Sequence, residues 1–292
     1  MTTEAPDGSP EPVVLVERDA GVGVITLNRP ERRNALHPDM YRLIPAAIED
    51  FNADDDIGCI LITAAGTAFC AGGDVRDGGG RRRSAETAGQ QRGGDGPPSV
   101  DAAAAGLVRS ASIVQLLHDS PKVTIAALPG PAVGAGIGIA LATDLRMMAE
   151  SATLVAGWSS LGFSGDFGGT WFLTHLIGST RALEVLIDNV PITATAAHAL
   201  GLANRVVPDD ELPAAARAWA KRIAAGPKGA HRLIKENVRD AATLSLADAL
   251  PRESERMVAS GRTDEHRAAV REWMARAAAK KQRADPTAAG TD

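Results

Sequence analysis

Apolar residues fall into short β-branched blocks over the first part of the chain and into helical spacing over the rest. Val13–Glu17 and Val22–Leu27 flank Arg18-Asp19-Ala20-Gly21, a pattern that predicts a hairpin. Asn28-Arg29-Pro30 stops the second strand, and Asn34 is placed to cap a helix over about 37–52. Cys59–Thr63 is a short apolar strand of the kind buried on both faces. Strand, helix and strand at this spacing point to a parallel crossover unit. A helix is expected over 102–118, a buried strand at Val123–Ala127, and a small-residue helix opening at Ala132–Ala140. Short strands at 144–148 and 153–156 lead into an irregular, glycine-rich block, Gly157–Gly169. Helices then take over: 170–176, 181–188, 194–200, 211–225, 229–241 and one from Ser245 to about Ala279.

This pattern divides the chain into a disordered lead (1–12), an α/β core (13–207), a helical C-terminal subdomain (208–280) with its seam near Pro208, and a disordered tail (281–292). The stretch from Asp77 to Pro98 is rich in glycine and arginine and lacks large apolar residues. That composition predicts a mobile loop over about 77–100, either a solvated insertion or a lid whose arginines meet ligand phosphates.

The composition is that of a globular enzyme, with 45% hydrophobic and 23% charged residues over a length that buries a large core. A net charge of −5 gives no long-range attraction to nucleic acid or anionic membrane, so an anionic ligand needs a local basic patch. The only basic cluster, Arg81–Arg83, lies among glycines without aromatics, and no nucleic-acid partner is expected. No apolar run spans a membrane, and the N-terminal lead lacks the basic and apolar regions of a signal peptide. Two cysteines, Cys59 and Cys70, make neither a disulfide framework nor a metal-ligand spacing, so a cytoplasmic protein without a metal is expected.

Two segments share one physical arrangement. Phe69–Asp74 and Gly130–Gly138 each follow a buried strand, pass through glycines and start a helix. A helix start leaves N–H groups unpaired and carries partial positive charge. Two such ends facing each other make an oxyanion hole. Neither segment carries a nucleotide-binding signature: no GxxxxGK[ST] occurs, and no G-x-G-x-x-G follows a strand with an acid at the required distance.

Gly23–Pro30 followed by Arg33-Asn34-Ala35-Leu36, then Ala68–Asp74, Pro129–Gly136 and Ala199–Val207, resemble the ordered motifs of the enoyl-CoA hydratase/isomerase (crotonase) family. The resemblance runs from about Val13 to about Met274. It implies an α/β spiral of ββα units with an α-helical C-terminal subdomain, completing a homotrimer or a dimer of trimers. It implies an acyl-CoA substrate, coenzyme A being part of that substrate and no separate cofactor being needed. It further implies oxyanion donors at the amides of Ala71 and Ala135, and a coenzyme A channel lined by Arg33, Ala71, Gly72, Gly73 and Asp74.

The chain departs from the family's hydratases where they carry two glutamates. By motif, those positions are Gly138 and Trp158, neither of which moves a proton at carbon. Two-glutamate hydration is therefore not expected, and single-carboxylate isomerisation is. Asp166, eight residues beyond Trp158, stands where dienoyl-CoA isomerases and 4-chlorobenzoyl-CoA dehalogenases resemble this chain in placing a working aspartate. It reads as acid/base or nucleophile, or as a plain cap on the helix near Thr170. Trp158, Gly138 and Ser159 are expected to line the acyl pocket. Dehalogenation or hydrolysis of an aroyl-CoA and non-catalytic acyl-CoA binding are the alternatives.

Overall fold

The structure is a computed structural model and describes residues 12–74 and 99–284. It divides into two compact units, Met1–Ala224 and Ala225–Asp292.

The first unit begins with β1 (Val14–Asp19) and β2 (Val22–Leu27), paired antiparallel through the expected turn. Helix α1 (Met40–Ala53) and β3 (Cys59–Ala64) follow. Beyond the gap come α2 (Val100–Ser110), α3 (Ser112–Asp119), β4 (Val123–Leu128), β5 (Ala132–Val133) and α4 (Ala135–Ala142). Then come β6 (Leu145–Ala149), β7 (Thr153–Val155), α5 (Gly169–Ile177) and α6 (Ser179–Asp188). The unit closes with β8 (Ile192–Thr193), α7 (Ala194–Ala199), β9 (Arg205–Val207) and α8 (Leu212–Ala224).

Six strands form one sheet in the order β1-β2-β3-β4-β6-β9, parallel from β2 onward; β5-β7-β8 form a second, small sheet. The runs of Val, Ile and Leu in β2, β3 and β4 are explained by burial on both faces, as parallel strands under helices require. Helix α1 seats the fully buried Phe51 on Gly23 of β2; a Cβ on that glycine would lie 2.4 Å from the ring. Helix α4 is buried at every residue, which its Gly, Ala and Ile composition allows.

The seam expected near Pro208 lies after Ala224 instead. Helix α8 packs on β3, β4 and β6 with Leu212, Ala216, Trp219 and Ala220 buried, so it belongs to the α/β unit. Helical spacing alone does not say which body a helix covers. Arg146 on β6 is almost wholly buried and ties this region together: it donates to the carbonyls of Leu202 (2.6 Å) and Thr143 (2.6 Å), while burial pushes its guanidinium pKa down to about 10.

The second unit contains α9 (Lys228–Thr243), α10 (Leu246–Ser260) and α11 (Asp264–Ala284). Arg256 of α10 bridges Glu236 (3.1 Å) and Asp240 (2.7 Å) of α9. The single helix expected from Ser245 is two, because the chain turns at Gly261–Thr263 and the Thr263 hydroxyl accepts the His266 N–H of the next helix. The helix expected over 102–118 likewise breaks at Ala111. By length and composition Val100–Asp119 could cross a bilayer, but Ile113, Val114 and Leu117 of its second half are built into the core. Helix α1 starts at Met40, later than expected, and Asn34 does not cap it. The lead up to residue 11, the loop over 75–98 and the tail beyond Ala284 lie outside the described residues; Val100 already belongs to a helix, and α11 runs four residues into the expected tail.

Candidate active site

The first glycine segment is held by the chain that leaves β2. Arg33 and Asn34 both adopt left-handed backbone (φ 50° and 55°), a conformation Asn tolerates better than most residues. Asn34 is fully buried. Its amide nitrogen donates to the carbonyls of Ala65 (2.9 Å) and Ala68 (2.8 Å), and its Oδ1 accepts the Arg29 N–H (2.7 Å). This bracket lays residues 33–36 along residues 71–73. The Ala71 N–H donates to the Arg33 carbonyl (3.0 Å) and the Leu36 N–H to the Gly72 carbonyl (2.8 Å).

A cleft of about 380 Å³ opens here, lined by Arg32, Arg33, Ala35, Ala71, Gly73 and Asp74 among others. It gathers Arg33, Ala71, Gly73 and Asp74 of the expected coenzyme A channel. Arg32 and Arg33 are exposed, and guanidinium groups on such a rim suit phosphate oxygens. Asp74 sits near Arg29 at 3.5 Å, with both side chains largely covered.

The second segment is zipped to the first. The Phe69 and Cys70 N–H groups donate to the Pro131 carbonyl, and the Val133 N–H donates to that of Cys70 (2.8 Å). A Cβ on Gly72 would lie 2.8 Å from the Val133 carbonyl and 3.6 Å from the Ala135 nitrogen, so only a bare residue fits at this approach. Ala135 is the first residue of α4, where backbone N–H groups have no intrahelical partner. Among the described residues neither the Ala135 nor the Gly73 N–H meets an acceptor.

Ala71 cannot be the first oxyanion donor as expected, because its N–H is spent on Arg33. Leu36 pairs with Gly73 in parallel fashion by bonding to its neighbour, Gly72, which leaves the Gly73 N–H outside that pairing. Sequence places Gly73 in the channel but does not single out its amide as one left outside the pairing. The two-residue alternation of an extended segment would turn amides 71 and 73 alike, but Gly72 holds φ at 83° and breaks it, so no sequence pattern marks the difference.

The third part of the site is the glycine-rich block. Trp158 is buried after β7, and its indole Nε1–H donates to Asp166 Oδ1 at 2.9 Å. The same Nε1 lies 3.7 Å from where a Cβ on Gly134 would sit, and the far edge of the indole lies 2.3 Å from the corresponding point on Gly169. Trp158 thus links the Asp166 carboxylate to the residue preceding Ala135. Helix α5 has Gly168 as its N-cap with no side-chain cap bond, so Asp166 is not the cap.

One pocket expectation fails. Gly138 faces no open space, since a Cβ there would lie 2.3 Å from the Phe167 carbonyl oxygen. Ser159 is exposed, and its hydroxyl donates to the Ile187 carbonyl (3.3 Å). Cys70 is fully buried and desolvation pushes its thiol pKa up to about 12, which removes it as a nucleophile.

The enoyl-CoA hydratase/isomerase family model matches residues 22–290. The chain is 32% identical to the 1,2-epoxyphenylacetyl-CoA isomerase of Escherichia coli K12, over 90% of this chain and 95% of that protein. It is 28% identical to 4-chlorobenzoyl coenzyme A dehalogenase-2 of an Arthrobacter species, over 85% of each. The crystal structure of an enoyl-CoA hydratase from Polaromonas sp. JS666 superposes with a TM-score of 0.80 at 27% identity, covering 90% of this chain and 97% of that one. The α/β architecture with a helical C-terminal region is therefore that of the crotonase fold.

Proposed function

The chain belongs to the enoyl-CoA hydratase/isomerase family, and from that membership we propose that it isomerises an acyl-CoA thioester through an enolate. The Gly73 and Ala135 amides hold the thioester oxygen, and Asp166 moves the proton. The observation that carries this reading is the Trp158–Asp166 hydrogen bond beside Gly134, which aims a carboxylate next to the start of α4.

The chemistry needs one carboxylate and no co-reactant. Asp166 takes a proton from a carbon conjugated with the thioester, and the C–H electron pair moves into the enolate. Two N–H groups at fixed positions stabilise the oxyanion that forms; a donor of this kind is worth about 10²–10³ in kcat. The same carboxyl, whose proton exchanges with solvent, gives a proton to the other end of the conjugated system, and the double bond has moved. Hydration by two glutamates finds no support, because Phe167 fills the space beside Gly138 and the indole of Trp158 occupies the other position. The exposed Arg32 and Arg33 at the cleft favour phosphate binding there.

The test is incubation with enoyl-, dienoyl- and aroyl-CoA esters in heavy water, read by mass spectrometry. Isomerisation exchanges deuterium into the product without adding water. Addition of water across the double bond, with no exchange in the absence of hydration, sinks the proposal.

The pairing of Trp158 with Asp166 also favours a second reading, in which the oriented carboxylate attacks the halogen-bearing ring carbon of an aroyl-CoA, expels halide and leaves an aspartyl ester that water then hydrolyses. A covalent aspartyl ester trapped on Asp166 selects it. Binding without conversion across the whole panel selects a non-catalytic acyl-CoA binder.

A further inference from the structure

We propose that Gly138 is the positioning residue of the Asp166 carboxylate, acting through the Phe167 backbone that rests on it. The inference depends on Asp166 being the working carboxylate.

Gly138 lies in α4, and a Cβ there would meet the Phe167 carbonyl oxygen at 2.3 Å, its Cβ at 2.8 Å and its carbonyl carbon at 3.1 Å. These are backbone or backbone-fixed atoms, so no side-chain rotation relieves the clash. Phe167 itself holds φ at 51°, which a bulky residue rarely adopts without tertiary support. That support is visible: the ring is buried and lies 6.3 Å from the Tyr41 ring. Gly165 (φ 118°) and Gly168 (φ 69°) also take positive φ, which glycine does without strain, so in the turn around Asp166 it is Phe167 whose conformation is set by contact. Where the Phe167 peptide rests decides where Asp166 points.

Trp158 bridges the two elements, with one edge toward Gly134 before α4 and the other on Gly169 at the end of the loop. The 2.9 Å bond between its indole and Asp166 therefore measures the spacing between α4 and the loop. A side chain at 138 would lift the loop and break that register. A carboxylate projecting from α4 at this position and a carboxylate presented by the loop are mutually exclusive in this chain. Gly138 is thus a requirement of the loop carboxylate, more than a position from which a glutamate is missing.

The experiment is Gly138→Ala, measured for kcat, KM and the indole N–H resonance of Trp158, which is assigned by its loss in Trp158→Phe. Displacement of a reacting group by about 1 Å costs on the order of 10²-fold, so kcat should fall by roughly 10- to 100-fold while KM stays within about twofold. The Trp158 resonance should move. In the Trp158→Phe background the same substitution should cost less than about threefold, since coupled residues are not additive. An unmoved resonance, an unchanged kcat, or an equal loss in both backgrounds overturns the proposal. If Gly138→Ala does not fold, Phe167→Gly releases the φ constraint and should move the same resonance; an unmoved one overturns the proposal equally. Full turnover in Asp166→Asn sinks the acid/base reading, whereas the resonance reports on the role of Gly138 alone.

Discussion

The Trp158 indole N–H is hydrogen-bonded to the Asp166 carboxylate at 2.9 Å, across an irregular, glycine-rich stretch of the α/β unit. Both residues sit among glycines, and the indole spans from Gly134 to Gly169. A loop with so many positive-φ residues has little intrinsic preference to hold a side chain still. Packing of a large, rigid aromatic supplies the preorganisation that a helix would otherwise give. Asp166 is therefore a loop residue with the fixed orientation of a core one.

Replacement of Asp166 by Asn keeps the shape of that pairing and removes the base. Turnover should fall by about 10²–10⁴, with coenzyme A affinity within about twofold, as measured by steady-state kinetics and calorimetry. Trp158→Phe removes the donor and shortens the ring system that packs on Gly169, and should cost at least roughly tenfold in kcat, the worth of one charge-assisted hydrogen bond. A Trp158→Phe enzyme as dead as Asp166→Asn would mean that the indole takes part in the chemistry directly.

The oxyanion donor on α4 can be tested without disturbing the helix. Ala135 is its first residue, and proline is well tolerated there because the N–H it removes has no intrahelical partner. Gly134 (φ 54°, ψ −120°) is outside the α region that proline disfavours in its predecessor. Ala135→Pro should leave the melting temperature within a few degrees (about 1 kcal/mol) and lower kcat by about 10²–10³. Retained turnover in a folded variant would remove the Ala135 amide from the mechanism.

Much of this arrangement was legible in the residues, and the failures have physical causes. The buried strands were readable because a parallel strand under helices is apolar on both sides, as Cys59–Thr63 and Val123–Ala127 are. The pairing of Phe69–Asp74 with Gly130–Gly138 was readable because glycines at a strand-to-helix turn signal close backbone approach. The seam at Ala224 was not, since Trp219 and Ala220 have the same helical spacing whether they cover a sheet or another helix. Nor could sequence tell which amide of 71 and 73 is spent, because that depends on Asn34 laying a distant segment alongside.

Cys70 gives a prediction about reactivity and alkaline stability. Burial holds its thiol neutral until about pH 12, far above the 9.0 of an exposed thiol. Native protein should resist iodoacetamide at pH 8 at both Cys70 and Cys59, which is also buried, until denaturant is added. The unfolded chain ionises at lower pH than the folded one, so this group's contribution is complete below pH 9 and is lost as pH rises toward 12. Cys70→Ala should therefore lose less stability between these limits than the parent chain, as read by urea unfolding at each pH. Rapid alkylation of the native protein would contradict the burial.

Asn34 carries a large expected loss of stability for a single polar side chain. Its three hydrogen bonds, to Ala65, Ala68 and Arg29, are all made inside the protein. Asn34→Ala leaves those three groups facing an apolar methyl, at about 1–3 kcal/mol for each buried group left unpaired, and keeps a backbone that Ala disfavours. A total near 4 kcal/mol is expected in urea unfolding. Asn34→Gly relieves the backbone and should recover about 1 kcal/mol of it. Asn34→Asp is the sharper test, because an acceptor then replaces the amide that served two carbonyls, and it should be worse than Ala. The same bracket sets residues 33–36 against residues 71–73, so any variant that folds should bind coenzyme A at least roughly tenfold more weakly (about 1.4 kcal/mol) in calorimetry. Unchanged affinity in a destabilised variant would separate the cleft from the bracket.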